Sequence, residues 1–121
     1  MLISNPVASL GEELAAKYLA QKGYQIVERN FRKGYGEIDI IAVYQNILVF
    51  IEVKTRKTGL FGGVRESISG RKIRNLVKTA QFYKLLHPQF PNSLRIDAVF
   101  IELSEDSKPK NIEHIENISG F

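Results

Sequence analysis

Apolar residues recur along this chain with two different periods, and the switches between them divide it into elements. Leu10, Leu14, Ala15, Tyr18 and Leu19 fall at helical spacing. Asn5-Pro6 opens that stretch, with Ser4 or Asn5 as the cap, and Gly23 closes it. Residues 24–31 read as a strand of mixed character, and Gly34 and Gly36 mark a turn. GEIDIIAVY (36–44) and ILVFIEVKT (47–55) are β-rich strands on either side of Gln45-Asn46, a hairpin connection. After a loop with Gly59, Gly62 and Gly63, the residues Ile73, Leu76, Val77, Ala80 and Tyr83 restore a 3.6-residue pattern. Ser67 or Ser69 caps this second helix, and His87-Pro88 stops it near Leu86. LRIDAVFIEL (94–103) is a further strand. From about residue 104 a polar, acidic tail follows, with one short edge strand near 112–115. The order α-β-β-β-α-β predicts an α/β fold with a mixed central sheet flanked by helices. The second helix is then a right-handed crossover between parallel strands. No repeat or linker interrupts the pattern, so residues 1–121 are expected to form one domain.

Composition narrows the chemistry. The chain has no cysteine, which excludes disulfides, thiolate zinc sites and cysteine nucleophiles. No apolar run approaches the ~20 residues of a membrane span, and the N-terminus lacks a signal-peptide pattern, so a non-membrane, cytoplasmic protein is expected. The two histidines, His87 and His114, form no ligand or HNH-like cluster, so a histidine base is not expected. His87 reads as a helix-end or surface residue, and His114 as a residue of the acidic tail with no partner at a ligand spacing. The net charge is +4, but its distribution is uneven. Residues 54–84 hold nine basic side chains against Glu66 alone, a net of +8 that leaves the rest of the chain at −4. Such segregation is the footprint of a polyanion binder. Arg71, Lys72, Arg74 and Lys78 are the candidate phosphate contacts, joined by Thr55 and Arg56. Tyr35, Phe61 and Tyr83 could stack on bases, but core or surface packing is the expected use of each.

The hairpin brings acids together. If Gln45-Asn46 is a two-residue turn, Tyr44 faces Ile47, Val43 faces Leu48 and Ile41 faces Phe50. The same register sets Asp39 opposite Glu52 and Glu37 opposite Lys54, on Cβ atoms ~5 Å apart. Like charges directly opposite are destabilising. A hard divalent cation would relieve them, since Mg²⁺ takes carboxylate oxygens and retains several waters. A neighbouring lysine could then orient a metal-bound water or offset transition-state charge.

GEELAAKYLAQKGYQIVERNFR, GEIDIIA, FIEVKTR, RKIRNLVKTAQFYKLLHP and RIDAVFIEL together cover almost the whole chain. In this combination the sequence resembles the YraN-type family of bacterial endonuclease-like proteins, within the PD-(D/E)xK nuclease superfamily. The resemblance implies a restriction-endonuclease-like fold and Mg²⁺- or Mn²⁺-dependent hydrolysis of nucleic-acid phosphodiesters, structure-selective on DNA. It implies Asp39 and Glu52 as metal-binding acids, Lys54 as the catalytic lysine and Glu12, on the first helix, as a further metal ligand, direct or through water. The Val53 backbone carbonyl would complete the set, and Glu37 belongs to the family's GEID element without a fixed role. For Glu12 and the neighbouring Glu13, a position complementing the helix dipole is the competing expectation. Ile38 replaces the superfamily's proline before Asp39, and Leu85 stands where the Q-x-x-x-Y element would have tyrosine. DNA is the expected partner, and a homodimer the assembly that resolvase-like relatives suggest. The competing functional reading is a catalytically inactive nucleic-acid-binding protein of this fold, acting in a DNA-processing complex.

Overall fold

A computed structural model describes residues 5–34, 36–58 and 68–120. It contains α1 (Pro6–Gln21), β1 (Gln25–Lys33), β2 (Gly36–Tyr44), β3 (Ile47–Lys57), α2 (Gly70–Leu86), β4 (Ser93–Leu103) and β5 (Pro109–Ile115). Ser4, Tyr35, Phe61, Ser67 and the loop glycines Gly59, Gly62 and Gly63 lie outside the described residues. Both helices start on side-chain caps that satisfy otherwise orphaned donors. Asn5 Oδ1 accepts from the Val7 and Ala8 N–H groups, and Ser69 Oγ accepts from the Lys72 N–H. Because α1 begins at Pro6, its first turn carries no acid. The dipole-complementing reading of Glu12 and Glu13 is therefore corrected.

The five strands form one mixed sheet in the order β1-β2-β3-β4-β5. β3 and β4 are parallel and the other neighbours antiparallel, with α2 as the crossover. This is the expected α/β architecture, consistent with a restriction-endonuclease-like core. Gln45 and Asn46 both have positive φ, 47° and 64°, which defines a type I′ turn between β2 and β3. That turn fixes the predicted pairing of Tyr44 with Ile47, Val43 with Leu48 and Ile41 with Phe50.

Two cores lie on opposite faces of the sheet. Ala15 and Leu19 of α1 pack on Ile40, Ala42, Val49, Ile51, Val99 and Ile101. Leu76, Ala80 and Tyr83 of α2 pack on Ile38, Ile41, Leu48, Phe50 and Ile96. Alternation along β3 is regular, but β2 places Ile38 and Ile41 in the same layer with Ile40 in the other. The period-2 pattern slips across Asp39.

The C-terminal segment is more than a tail. Asp97 on β4 is fully buried and is held by Arg95 Nε and Nη2, both at 2.9 Å, by His114 Nε2 at 2.7 Å and by the Asn117 N–H at 3.0 Å. Arg95 also donates to the Tyr24 hydroxyl. Burial would raise the Asp97 carboxyl, but the bonds from His114 and Arg95 outweigh it and hold the group below its usual range. His114 thus ties β5 to the α1 face of the sheet. Its Nδ1 lies 2.8 Å from Lys22 Nζ.

α1 sits on the sheet through a glycine. A Cβ at Gly11 would lie 1.8 Å from Thr55 Oγ1 and 2.8 Å from Thr55 Cβ. Thr55 is buried beneath the helix, so its expected phosphate contact gives way to a packing role. Gly11→Ala should accordingly lower the melting temperature, at the ~1–3 kcal/mol or more typical of overpacked cores. Adding Thr55→Ala should recover part of the loss by removing the closest atom, a pattern that thermal melts of the two single variants and the double variant would test.

Candidate functional site

The site forms where β2 leaves β3. Their ladder ends at Ile40↔Ile51. Continued by one more hydrogen-bonded pair, it would bring the Ile38 carbonyl to the Val53 N–H. Instead Asp39 Oδ2 accepts from the Val53 N–H at 2.8 Å. The expected face-to-face ladder position of Asp39 and Glu52 is corrected by this side-chain bond. The N–H and C=O of a strand residue point to the same edge, so the Val53 carbonyl is directed into the same gap.

Asp39 and Glu52 are both buried, and the Glu52 carboxylate acts on the Asp39 carboxyl. Burial and the Glu52 charge push the Asp39 carboxyl up to about 8, with the bond from Val53 opposing them. Glu12 on α1 belongs to the same field. Burial raises it, Glu37 and Glu52 raise it further, and Arg29 opposes them. Among the described residues, however, no three acidic or histidine side chains close into a metal-binding group.

Cations face this pair from two elements. Lys54, two residues along β3, puts Nζ 3.8 Å from Glu52 Oε2. Lys72, on the first turn of α2, comes closer to the same oxygen, at 3.3 Å. The expected Glu37–Lys54 pair does not form. Glu37 pairs with Arg32 of β1, at 2.9 Å from its Nε, because β2 stays paired with β1 after it parts from β3. Glu13 is likewise taken by Arg29, at 2.6 Å.

The candidate phosphate-binding residues separate into groups. Arg71, Arg74 and Lys78 recur at three- and four-residue steps and are all exposed, one face of α2. Lys72 turns inward beside the buried Leu76 and Thr79. Arg56 donates to the Thr55 carbonyl through Nη1. Tyr83 is buried and donates to Glu28, and its ring stacks on His87 at the helix end, so both serve packing.

The chain thus joins a mixed α/β fold to a buried Asp/Glu pair beside an E-x-K lysine. The family model described as "Uncharacterised protein family UPF0102" matches residues 11–101, and the chain belongs to that family, the YraN-type family. A UPF0102 protein from Syntrophomonas wolfei is 49% identical over 107 residues, covering 88% of this chain and 91% of the relative. One from Clostridium botulinum strain 657 is 43% identical over 114 residues, covering 92% and 91%. One from Alkaliphilus oremlandii is 38% identical over 117 residues, covering 95% and 98%. Among solved structures, Pyrococcus furiosus SfsA in complex with Ca²⁺ matches with a TM-score of 0.38 and 19% identity. That match covers 87% of this chain and 60% of SfsA. Among the described residues no helix is long and apolar enough to cross a membrane.

The acid pair makes stability pH-dependent. Folded Asp39 keeps its proton to about pH 8, whereas an unfolded aspartate loses it near pH 4. Between those values the folded state binds the extra proton, so metal-free stability contributed by this group falls as pH rises. Asp39→Asn keeps an acceptor for the Val53 N–H and removes the titration. Its melting temperature should exceed the wild type's at pH 8 by several degrees, and the difference should shrink toward pH 5, as parallel thermal melts would read.

Proposed function

We propose that this chain is a divalent-metal-dependent nuclease acting on the phosphodiester backbone of nucleic acid, with DNA as its substrate class and the cytoplasm as its location. The observation that carries the reading is the Asp39–Glu52 pair, buried beside two lysines, one of them on the helix that carries the exposed Arg71, Arg74 and Lys78. A buried pair of adjacent carboxylates that retains a proton to about pH 8 is a pair that a divalent cation would satisfy better. Mg²⁺ and Mn²⁺ fit this donor set: two carboxylates and the Val53 carbonyl, with the remaining positions left to water. Glu12 would act through such a water rather than directly. When bound, the ion would supply a polarised phosphate and an acidified water.

The chain's own residues carry the rest of the reaction. Asp39 is fixed by the Val53 N–H, which sets the direction of its second oxygen. Lys54 stands over Glu52, where its ammonium can orient the attacking water and offset charge on the pentavalent phosphorus. Arg71, Arg74 and Lys78 grip phosphates by charge, so recognition reads backbone shape rather than base sequence. The family membership supports this reading without naming an activity.

The direct test is cleavage of branched, flapped, nicked, duplex and single-stranded substrates with Mg²⁺ or Mn²⁺. Lys54→Ala should lose cleavage while keeping substrate affinity, because its contribution is made in the transition state. Binding without cleavage on any substrate would instead identify a non-catalytic nucleic-acid binder.

The exposed α2 face gives a separate outcome. Replacing Arg71, Arg74 and Lys78 with alanine should weaken binding to all sequences alike. It should also flatten the salt dependence by up to ~0.9 of log–log slope per lost duplex phosphate contact. A salt titration of the triple variant with unchanged slope would remove α2 from the interface.

A further inference from the structure

Lys72 does not stand with its cationic neighbours. Helix phase turns it away from Arg71 and Arg74 and onto the side of Leu76 and Thr79, four and seven residues on, both buried. Its backbone is anchored at the helix start, where its N–H is bonded to Ser69 Oγ at 3.1 Å. From there Nζ reaches Glu52 Oε2 at 3.3 Å, closer than the Lys54 ammonium at 3.8 Å. Two ammonium groups therefore claim one oxygen of a carboxylate whose side chain is only 5% exposed.

Charge arithmetic makes this crowding consequential. Glu52 is faced by both Lys54 and Lys72, while Glu37 and Glu13 are neutralised by Arg32 and Arg29. A divalent cation added to that arrangement would leave the local site with a positive excess. Lys54 is held on the strand two residues from Glu52. Lys72 is the more exposed of the two lysines, its side chain 39% accessible against 26% for Lys54. A nucleic-acid phosphate approaching that exposed side chain offers it an alternative anion within reach of its flexible stem.

We propose that Lys72 is an internal competitor for the cation site, occupying Glu52 when no nucleic acid is bound and releasing it when a backbone phosphate draws the ammonium outward. The inference rests on the metal-dependent reading above and adds regulation to it. Metal and nucleic acid then bind with positive coupling, and by linkage the coupling is reciprocal: each tightens the other by the same factor. The chain on its own holds metal weakly, and the complete site assembles on substrate.

The experiment is a calorimetric Mn²⁺ titration of the full chain, alone and saturated with a random-sequence 20-base-pair duplex. Wild type is compared with Lys72→Met, Lys72→Gln and Asp39→Asn. Without duplex, Lys72→Met and Lys72→Gln should bind Mn²⁺ roughly fivefold or more tightly than wild type. Duplex should tighten Mn²⁺ binding to wild type by a similar factor and do so much less in the Lys72 variants. If Lys72 only braces the fold, both variants will melt lower with Mn²⁺ affinity unchanged or weakened, and the proposal is overturned while the metal site stands. Should Asp39→Asn bind Mn²⁺ as wild type does, or no protein bind it with or without duplex, the metal-site reading falls and the competitor role with it. Two Lys72 variants guard against the misfolding of either.

Discussion

The hydrogen bond from the Val53 N–H to the Asp39 carboxylate decides where the β2–β3 ladder stops. A backbone donor that would otherwise go to the Ile38 carbonyl is satisfied by a side chain. β2 is thereby free to slip its alternation, place Ile38 in the α2-side core and follow β1 instead of β3. Everything unusual about the site follows from that exchange. Asp39 is drawn into the sheet plane next to Glu52, the Val53 carbonyl loses a strand partner on that edge, and Glu37 goes to Arg32. An uninterrupted ladder would have been more regular and would have set the two acids opposite each other on one face of the sheet.

The second constraint is steric. α1 and β3 approach so closely at Gly11 and Thr55 that no side chain fits between them. This contact brings Glu12, the next residue, into the field of Asp39 and Glu52. α2 works from the opposite face, through Lys72. The sheet is thus a thin partition with acids in its seam, and a helix on each side sets the charge they experience.

Much of this arrangement was legible in the sequence. The I′ turn could be read because two strands of fixed alternation flanked a two-residue connection, and the Ile41–Phe50 pairing followed from it. The nearness of Asp39 and Glu52 followed too, although the means by which they meet did not. Side-chain capture of a backbone donor leaves no trace in a period-2 pattern. Glu37 was assigned to Lys54 because continuing the ladder is the simplest assumption once a register is known. Lys72 could have been separated from Arg71 and Arg74, since its spacing to Leu76 and Thr79 places it on the inner side of the helix. The Asp97–His114 tie had no such signal: its members come from different strands, and burial alone made them partners. Thr55 beneath Gly11 was hidden for the same reason.

The parallel pairing of β3 with β4 also orders events in time. The β2–β3 hairpin closes over two residues, so Asp39 and Glu52, thirteen positions apart, meet through local contacts. Hairpins of this kind form in roughly microseconds. β4 joins β3 only after the chain from Thr58 to Asn92 has looped back across the sheet, at a larger entropic cost of closure. α2 lies in that returning segment. During folding the carboxylates therefore come together before the helix that neutralises them has docked. At that stage they hold protons or attract counterions from solution, and the second half of the chain completes their electrostatic environment as well as the sheet.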